Sequence, residues 1–303
     1  MRTTKRRAFL LLIPAFILYT LFVVYPYVTS FLYSLTDWIG VGEKHFIGFQ
    51  NYVHLFTERR LSSQLWQAFS HNMTLFGVSM LFTVGLGLTF AFLLSSRKLK
   101  GRSIFRAIYF IPYILPALSV GFIWRYIFQP RWGALNEILN NVGLSGLARP
   151  WLGDLHTAFP TVVFVWCLRL TGLYILFFQA AILSIPDEYR DAARVDGCTR
   201  WQEILYIEIP LLKPTILKLS LLNFIGAFGA FGMIAGLTGL EGAPFGKTDV
   251  LGMFFYRTAF GTVNNPFGEG FGMGAAVAWV IAVFLVAVSF LFQMAIQRSQ
   301  VEY

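Results

Sequence analysis

The chain has 303 residues, of which 56% are hydrophobic and 13% charged, against roughly 45–50% and 25% in ordinary soluble domains. That composition excludes a water-solvated globular domain and makes lipid the principal solvent. The net charge of +9 comes from cations dispersed among short loops rather than gathered in one stripe, which argues against nucleic acid as a partner.

Apolar runs long enough to cross about 30 Å of hydrocarbon as helices predict six spans, over residues 8–34, 68–95, 103–128, 158–184, 215–238 and 271–297. The first follows the basic string MRTTKRR, as a signal peptide would. It is long, however, holds Pro14 and Pro26, and lacks a small-residue cleavage site before Tyr33, so it is expected to stay as a helix. Thr36 to about Gln67 reads as an ordered polar cap whose string HFIGFQNYVHLF puts aromatics on its surface. The string QPRWGALNEILNNVGLSGLARPWLGDLHT, after the third span, predicts a small interfacial helix bounded by turns. No period recurs along the chain, so an inverted repeat is not expected.

The fourth span contains Arg169, about 11 residues or roughly 16 Å of helix from the outer end. At that depth an isolated charge costs at least about 2.5–3.5 kcal/mol, so the side chain should face the bundle interior or a wet cavity. No carboxylate falls within a predicted span to pair with it. Its partner is therefore a carbonyl, water, a loop, another subunit or a cargo, and Arg169 is predicted to line a translocation path with Trp166, Tyr174 and Asn223. In the fifth span, NFIGAFGAFGMIAG places Gly232 and Gly236 four apart, a spacing that allows close helix approach within the bundle or at a dimer face. Cys167 and Cys198 are expected to be free thiols.

Six spans put both termini on one side. With them inside, 15 cations face inward (the N-terminal tail, Arg97 to Arg106, Arg190 to Lys218, and Arg298) against 8 outside, which predicts cytoplasmic termini.

Between the fourth and fifth spans lies DEYRDAARVDGCTRWQEILYIEIPLLKP, where 10 of 28 residues are charged. Pro186, Asp187 and Glu188 suit the first turn of a helix, and Gly197 suits a left-handed stop. Thr199 with Gln202 matches a capping box for a second helix that Pro210 should end. The element predicted is helix, turn, helix, with Ala192 and Ala193 as a bare face and Ile204, Leu205 and Ile207 as apolar contacts. Its six carboxylates against four cations are the reverse of what phosphate binding needs.

Asp191-Ala192-Ala193, Asp196-Gly197-Cys198, then Ile207-Glu208-Ile209-Pro210 and Pro214 resemble the signature of binding-protein-dependent ABC importer permeases: Glu-Ala-Ala, Asp-Gly-Ala, then Ile-x-Leu-Pro-x-x-x-Pro. Asp191, Cys198 and Ile204 stand where that family has Glu, Ala and Phe. FIGFQNYVHLF and GRSIFRAIYFIPYILPALSVGFIWRYIFQPRWGALN resemble its carbohydrate, maltose-type branch, and the similarity covers nearly the full length. After the fifth span the family's Thr-Gly-Gly-Gly-Pro is replaced by Thr238-Gly239-Leu240-Glu241-Gly242-Ala243-Pro244, and GTVNNPFGEG looks like an insertion.

The resemblance implies an all-α integral membrane protein of type I importer architecture, with residues 1–303 as one permease domain in the bacterial inner membrane. It implies that residues 185–214 form a cytoplasmic coupling loop that docks on an ATPase through Asp191, Ala192, Ala193, Asp196, Gly197, Ile204, Ile207 and Pro210. The implied partners are a second homologous permease in a heterodimer, two ATPases that hold ATP and Mg, and an extracytoplasmic solute-binding protein. The chain itself would bind no cofactor and catalyse no reaction.

GAPFGKT mimics a phosphate loop, but Gly242 and Gly246 have three residues between them where four are needed. An ion-coupled secondary transporter is the alternative function. It would place carboxylates at membrane depth, whereas every Asp and Glu here is expected in a loop or tail. A membrane enzyme would need clustered catalytic groups, and His45, His54, His71 and His156 are scattered.

Overall fold

The computed structural model describes residues 12–95, 101–262, 265 and 268–299. The basic N-terminal tail, the first residues of the span predicted from residue 8, the cations Arg97, Lys98 and Lys100, and part of GTVNNPFGEG lie outside the described residues. The elements among those described are helical: α1 Leu12–Ser34, α2 Gln50–Thr57, α3 Arg59–Ser95, α4 Arg102–Ile114, α5 Ala117–Ile127, α6 Ala134–Asn141, α7 Ala158–Leu183 and α8 Asp187–Val195. They continue with α9 Arg200–Phe228, α10 Gly232–Thr238, α11 Leu251–Phe260 and α12 Phe271–Ser299. Five of them are long and apolar enough to cross a membrane, and α4 with α5, bent by 108°, makes a sixth if taken as one broken span. The interfacial helix expected after the third span is α6.

The chain divides into two compact units, one of residues up to Leu65 with Phe255–Val283, the other of Trp66–Phe254 with the rest of α12. In the first, α1 is apolar and almost wholly exposed to its surroundings. The cap that follows is ordered by Asn51, which donates to the carbonyls of Ser34 (2.9 Å) and Thr36 (2.8 Å), and by the Ser34–Tyr52 hydroxyl pair. Phe46 and Phe49 of the cap are exposed. Gly272 opens α12 against this cap, where a Cβ would lie 2.1 Å from the Thr36 carbonyl oxygen.

In the second unit α7 is the most buried span. Gly172 sets its backbone against α4, since a Cβ there would lie 2.0 Å from the Tyr109 carbonyl oxygen. Polar side chains clamp the other contacts: Gln179 donates to Leu94 O and Tyr174 to Leu219 O, while Asn72 bonds Ala227 O and the Leu251 N–H. Each of these joins separate helices, which suits lipid, where apolar burial does little to hold helices together. Phe69, Phe76, Phe224, Phe228, Phe284 and Phe292 fill the space among α3, α9 and α12.

Four expectations are corrected. The second span begins at Arg59, not near residue 68, because the end of the cap is itself helical. Pro210 does not end a helix: α9 runs unbroken to Phe228, so the segment predicted as loop to residue 214 is helical from Arg200. A π turn at Ile204–Glu208, closed by the Ile209 N–H on the Ile204 carbonyl, widens the helix just ahead of the proline, one of the few ways a helix absorbs the missing N–H and the ring. The fifth span, predicted over 215–238, stops at Phe228 and resumes as α10. The glycines at 226, 229 and 232 weaken the helix there. The third span is likewise interrupted, where Leu115 precedes Pro116 and takes an extended ψ of 143°.

Gly232 and Gly236 belong to packing within the bundle. A Cβ on Gly236 would lie 2.6 Å from Leu118 O, and one on Gly121 2.2 Å from Met233 O, so α5 and α10 meet backbone to backbone. The mimic of a phosphate loop is closed on itself, with the Thr248 hydroxyl donating to Ala243 O.

Candidate functional site

The charged segment folds as its residues dictate. Asp187 and Glu188 stand in the first turn of α8, complementing the helix dipole. Gly197 adopts φ +79° while the Gly197 and Cys198 N–H groups return to the Arg194 and Ala193 carbonyls, the paired bonds that close a helix around a left-handed residue. Thr199 and Gln202 then form the reciprocal capping box that opens α9.

Beneath this turn lies an ion network that local spacing did not reveal. Arg190 donates to Glu208 (2.8 Å) and Asp187 (2.9 Å), and also to the Ile182 carbonyl at the end of α7 (2.8 Å). Arg200 reaches Glu203 at 2.6 Å and Glu208 at 3.1 Å. Glu203 and Glu208 side chains are 3% and 0% exposed. Burial works to lower the Arg190 pKa, but the hydrogen bonds to Glu208 and Asp187 outweigh it, and the pKa is raised, so the guanidinium stays charged. One side chain thus ties α7, α8 and α9 together. A cleft of about 740 Å³ opens beside it, between the ends of α3 and α7 and helix α8.

Of the residues predicted for docking, Asp191, Ala192, Asp196, Gly197 and Pro210 are exposed, Ile204 and Ile207 half-buried, and Ala193 buried. Asp191 pairs with Arg194 at 3.1 Å on the surface. The bare face is therefore Ala192 alone, because Ala193 packs inward. The apolar surface is made by Val195 (88% exposed), Trp201 (74%) and Tyr206 (75%), together with Leu205. The sequence reading singled out only Leu205 of these. Large apolar side chains placed among charges, at 195, 201 and 206, were the available signal.

The four residues predicted to line a path come together around a second cavity, of about 300 Å³. It sits where both interrupted spans break, with Tyr113 and Ala117 on one side and Gly229, Ala230 and Phe231 on another. Asn223 and Tyr174 are committed to helix contacts: Asn223 exchanges hydrogen bonds with Ser79 at 2.9 and 3.1 Å, and Tyr174 donates to Leu219 O at 2.8 Å. Trp166 Nε1 and Arg169 Nε are buried without a hydrogen-bond partner, and the Arg169 guanidinium lies 5.4 Å from the Tyr113 ring centroid. Cys167 and Cys198 are both free.

The family model for the binding-protein-dependent transport system inner membrane component matches residues 83–301, a stretch that holds the whole of this cavity and the charged segment. The chain belongs to this family. It is a permease subunit of an ABC importer, a multi-pass inner-membrane protein and not an enzyme, and ATP hydrolysis falls to separate ATPase subunits. The permease is 32% identical over 283 residues to a probable ABC transporter permease of Bacillus subtilis, covering 93% of this chain and 92% of that one. It is 30% identical to the diacetylchitobiose uptake system permease of Streptomyces coelicolor, over 89% and 78% of the two chains. It is also 30% identical to the trehalose/maltose transport system permease of Thermococcus litoralis, over 93% and 90%. Among solved structures, a chain of a bacterial alginate ABC transporter shares the fold with a TM-score of 0.81 at 21% identity, over 99% of this chain and 98% of that one.

Proposed function

We propose that residues 1–303 act as one permease domain that moves a carbohydrate through the cavity around Trp166 and Arg169, driven by ATPases that dock on the α8–α9 turn. One observation carries this reading. The helices that frame the cavity, α7 through Trp166 and Arg169 and α9 through Asn223 and Gly226, are the two helices that the Arg190 network locks to α8. A displacement of the turn would therefore reach the cavity along two rigid helices, a lever of the kind used in interface-driven switching.

The docking surface would consist of Asp191, Ala192, Asp196 and Gly197 with the neighbouring Val195, Trp201, Leu205 and Tyr206. Ala193, Ile204, Ile207 and Pro210 would shape the helices behind it. Exposed aromatic and aliphatic groups ringed by charge are typical of the centre of a protein interface. Cytoplasmic termini and a cytoplasmic turn follow from the excess of cations on that side. A second, homologous permease would complete the pathway, an extracytoplasmic binding protein would deliver the cargo, and ATP with Mg would sit on the ATPases. The relatives named for diacetylchitobiose and for trehalose/maltose support a carbohydrate cargo.

The test is a cysteine at Val195 or Trp201 in the assembled transporter. Each should cross-link to an ATPase subunit, and Asp191→Lys should reduce both cross-linking and uptake while the permease stays in the membrane. No cross-link from either position would remove the turn from the docking surface.

A further inference from the structure

We infer that the cargo carries a carboxylate, as a uronic acid does, and that Arg169 is the group that receives it. The inference rests on the permease reading and names the substrate class of the same cavity. Arg169 is the one charged side chain among the described residues that line it. Its guanidinium lies against the Tyr113 ring, and its Nε is buried with no acceptor. Three residues away on the same helix face, Trp166 is 5% exposed and its Nε1 also lacks an acceptor. Both side chains line the cavity, and both need the same thing: an oxygen that accepts.

The surrounding helices do not provide that oxygen. Asn223 and Tyr174, the polar neighbours, are already bonded to Ser79 and Leu219. Buried donors are otherwise almost always paired, and ionisable groups at membrane depth pair with one another or mark substrate pathways. A neutral sugar would satisfy the donors but leave the cavity with an uncompensated positive charge. A carboxylate does both, through the charge-assisted bonds that a guanidinium makes best. One cation also matches one negative charge, whereas a phosphate monoester brings nearly two at neutral pH. At about 300 Å³ the cavity is at the small end of ligand pockets, and the Trp166, Tyr113 and Phe231 rings suit the apolar faces of a sugar ring.

The inference is tested by ATP-dependent uptake in cells that carry the complete transporter with its partner subunits and binding protein. The probes are glucuronate, galacturonate and mannuronate, each against its neutral counterpart glucose, galactose or mannose. The wild type should import at least one acid in preference to its neutral partner, a comparison that needs no variant. Arg169→Gln should lower import of that acid about tenfold or more and so erase most of its preference over the neutral sugar. Arg169→Lys should retain part of the acid preference, and Trp166→Phe, which keeps a ring and removes the donor, should weaken it.

Neutral sugars imported as fast as the acids by the wild type would overturn the inference. So would an Arg169→Gln variant that reaches the membrane and loses both kinds of sugar alike, which would mark the arginine as a packing residue. In either case sugar still moves on ATP in the wild type and the permease reading stands. A wild type that imports no member of either set would overturn the inference, because no uronic acid is then carried, and would leave standing the permease role that the family match shows.

Discussion

Arg190→Met would strike the point at which three helices are joined. Its guanidinium bonds Glu208 at 2.8 Å, Asp187 at 2.9 Å and Ile182 O at 2.8 Å. Glu203 and Glu208 are essentially inaccessible and share Arg190 and Arg200 as their counter-ions. Removing one partner of a buried ion pair costs about 3–5 kcal/mol. Arg200 remains at 2.6 Å from Glu203 and 3.1 Å from Glu208, so the lower end, about 3 kcal/mol, is the better value. That amounts to roughly a hundredfold in the equilibrium for releasing α8. Amide hydrogen exchange on the purified permease should therefore accelerate by up to about a hundredfold across residues 187–195, with the cavity portion of α7 unchanged. Adding Glu208→Leu leaves one cation facing one carboxylate and should restore most of the protection, since an apolar replacement of a buried pair is often neutral or better. Unchanged exchange in α8 of Arg190→Met, or equal acceleration in α7, would refute the claim that this arginine is the clamp.

Gly172→Ala should lower the thermal midpoint of the detergent-solubilised permease by several degrees. Its Cβ would press on the Tyr109 carbonyl, and overpacking costs about 1–3 kcal/mol. Gly85→Ala, with nothing within 4 Å, should leave the midpoint level or slightly raised. Gly197→Val should reach the membrane yet lose most ATP-dependent uptake, because a β-branched residue resists φ +79°. Gly197→Asn, which tolerates that conformation, should keep uptake. In intact cells a membrane-impermeant maleimide should label a cysteine at Glu43, whose side chain is 94% exposed, and spare one at Val195; labelling at Val195 with Glu43 spared would reverse the proposed orientation.

Much of this architecture was legible because membrane helices announce themselves through length and apolarity, and caps through short-range chemistry. Thr199 with Gln202 and the left-handed Gly197 formed as their spacing required. The breaks were harder. Pro210 looks like a stop, and only the π turn before it keeps α9 intact. Pro116 sits in an apolar run that gives no warning of a bend of 108°. The Arg190–Glu208 pair spans 18 residues, so no helical spacing foretells it, although the three charges that end up buried or half-buried together, Arg190, Glu203 and Glu208, were all in one segment. At the cavity, sequence depth correctly set Arg169 apart as a charge among apolar residues. It could not show that Asn223 and Tyr174 would be engaged elsewhere, because that depends on which faces of α3, α7 and α9 meet.

On the proposed function, this permease moves sugar at the expense of ATP through subunits docked on the α8–α9 turn. The decisive experiment is uptake into proteoliposomes that contain the complete transporter, with binding protein and sugar on one side and ATP on the other. Uptake should require ATP, persist when proton and sodium gradients are collapsed, vanish when this permease is left out, and fall when it carries Asp191→Lys. Uptake that continues without ATP and follows an ion gradient would contradict it.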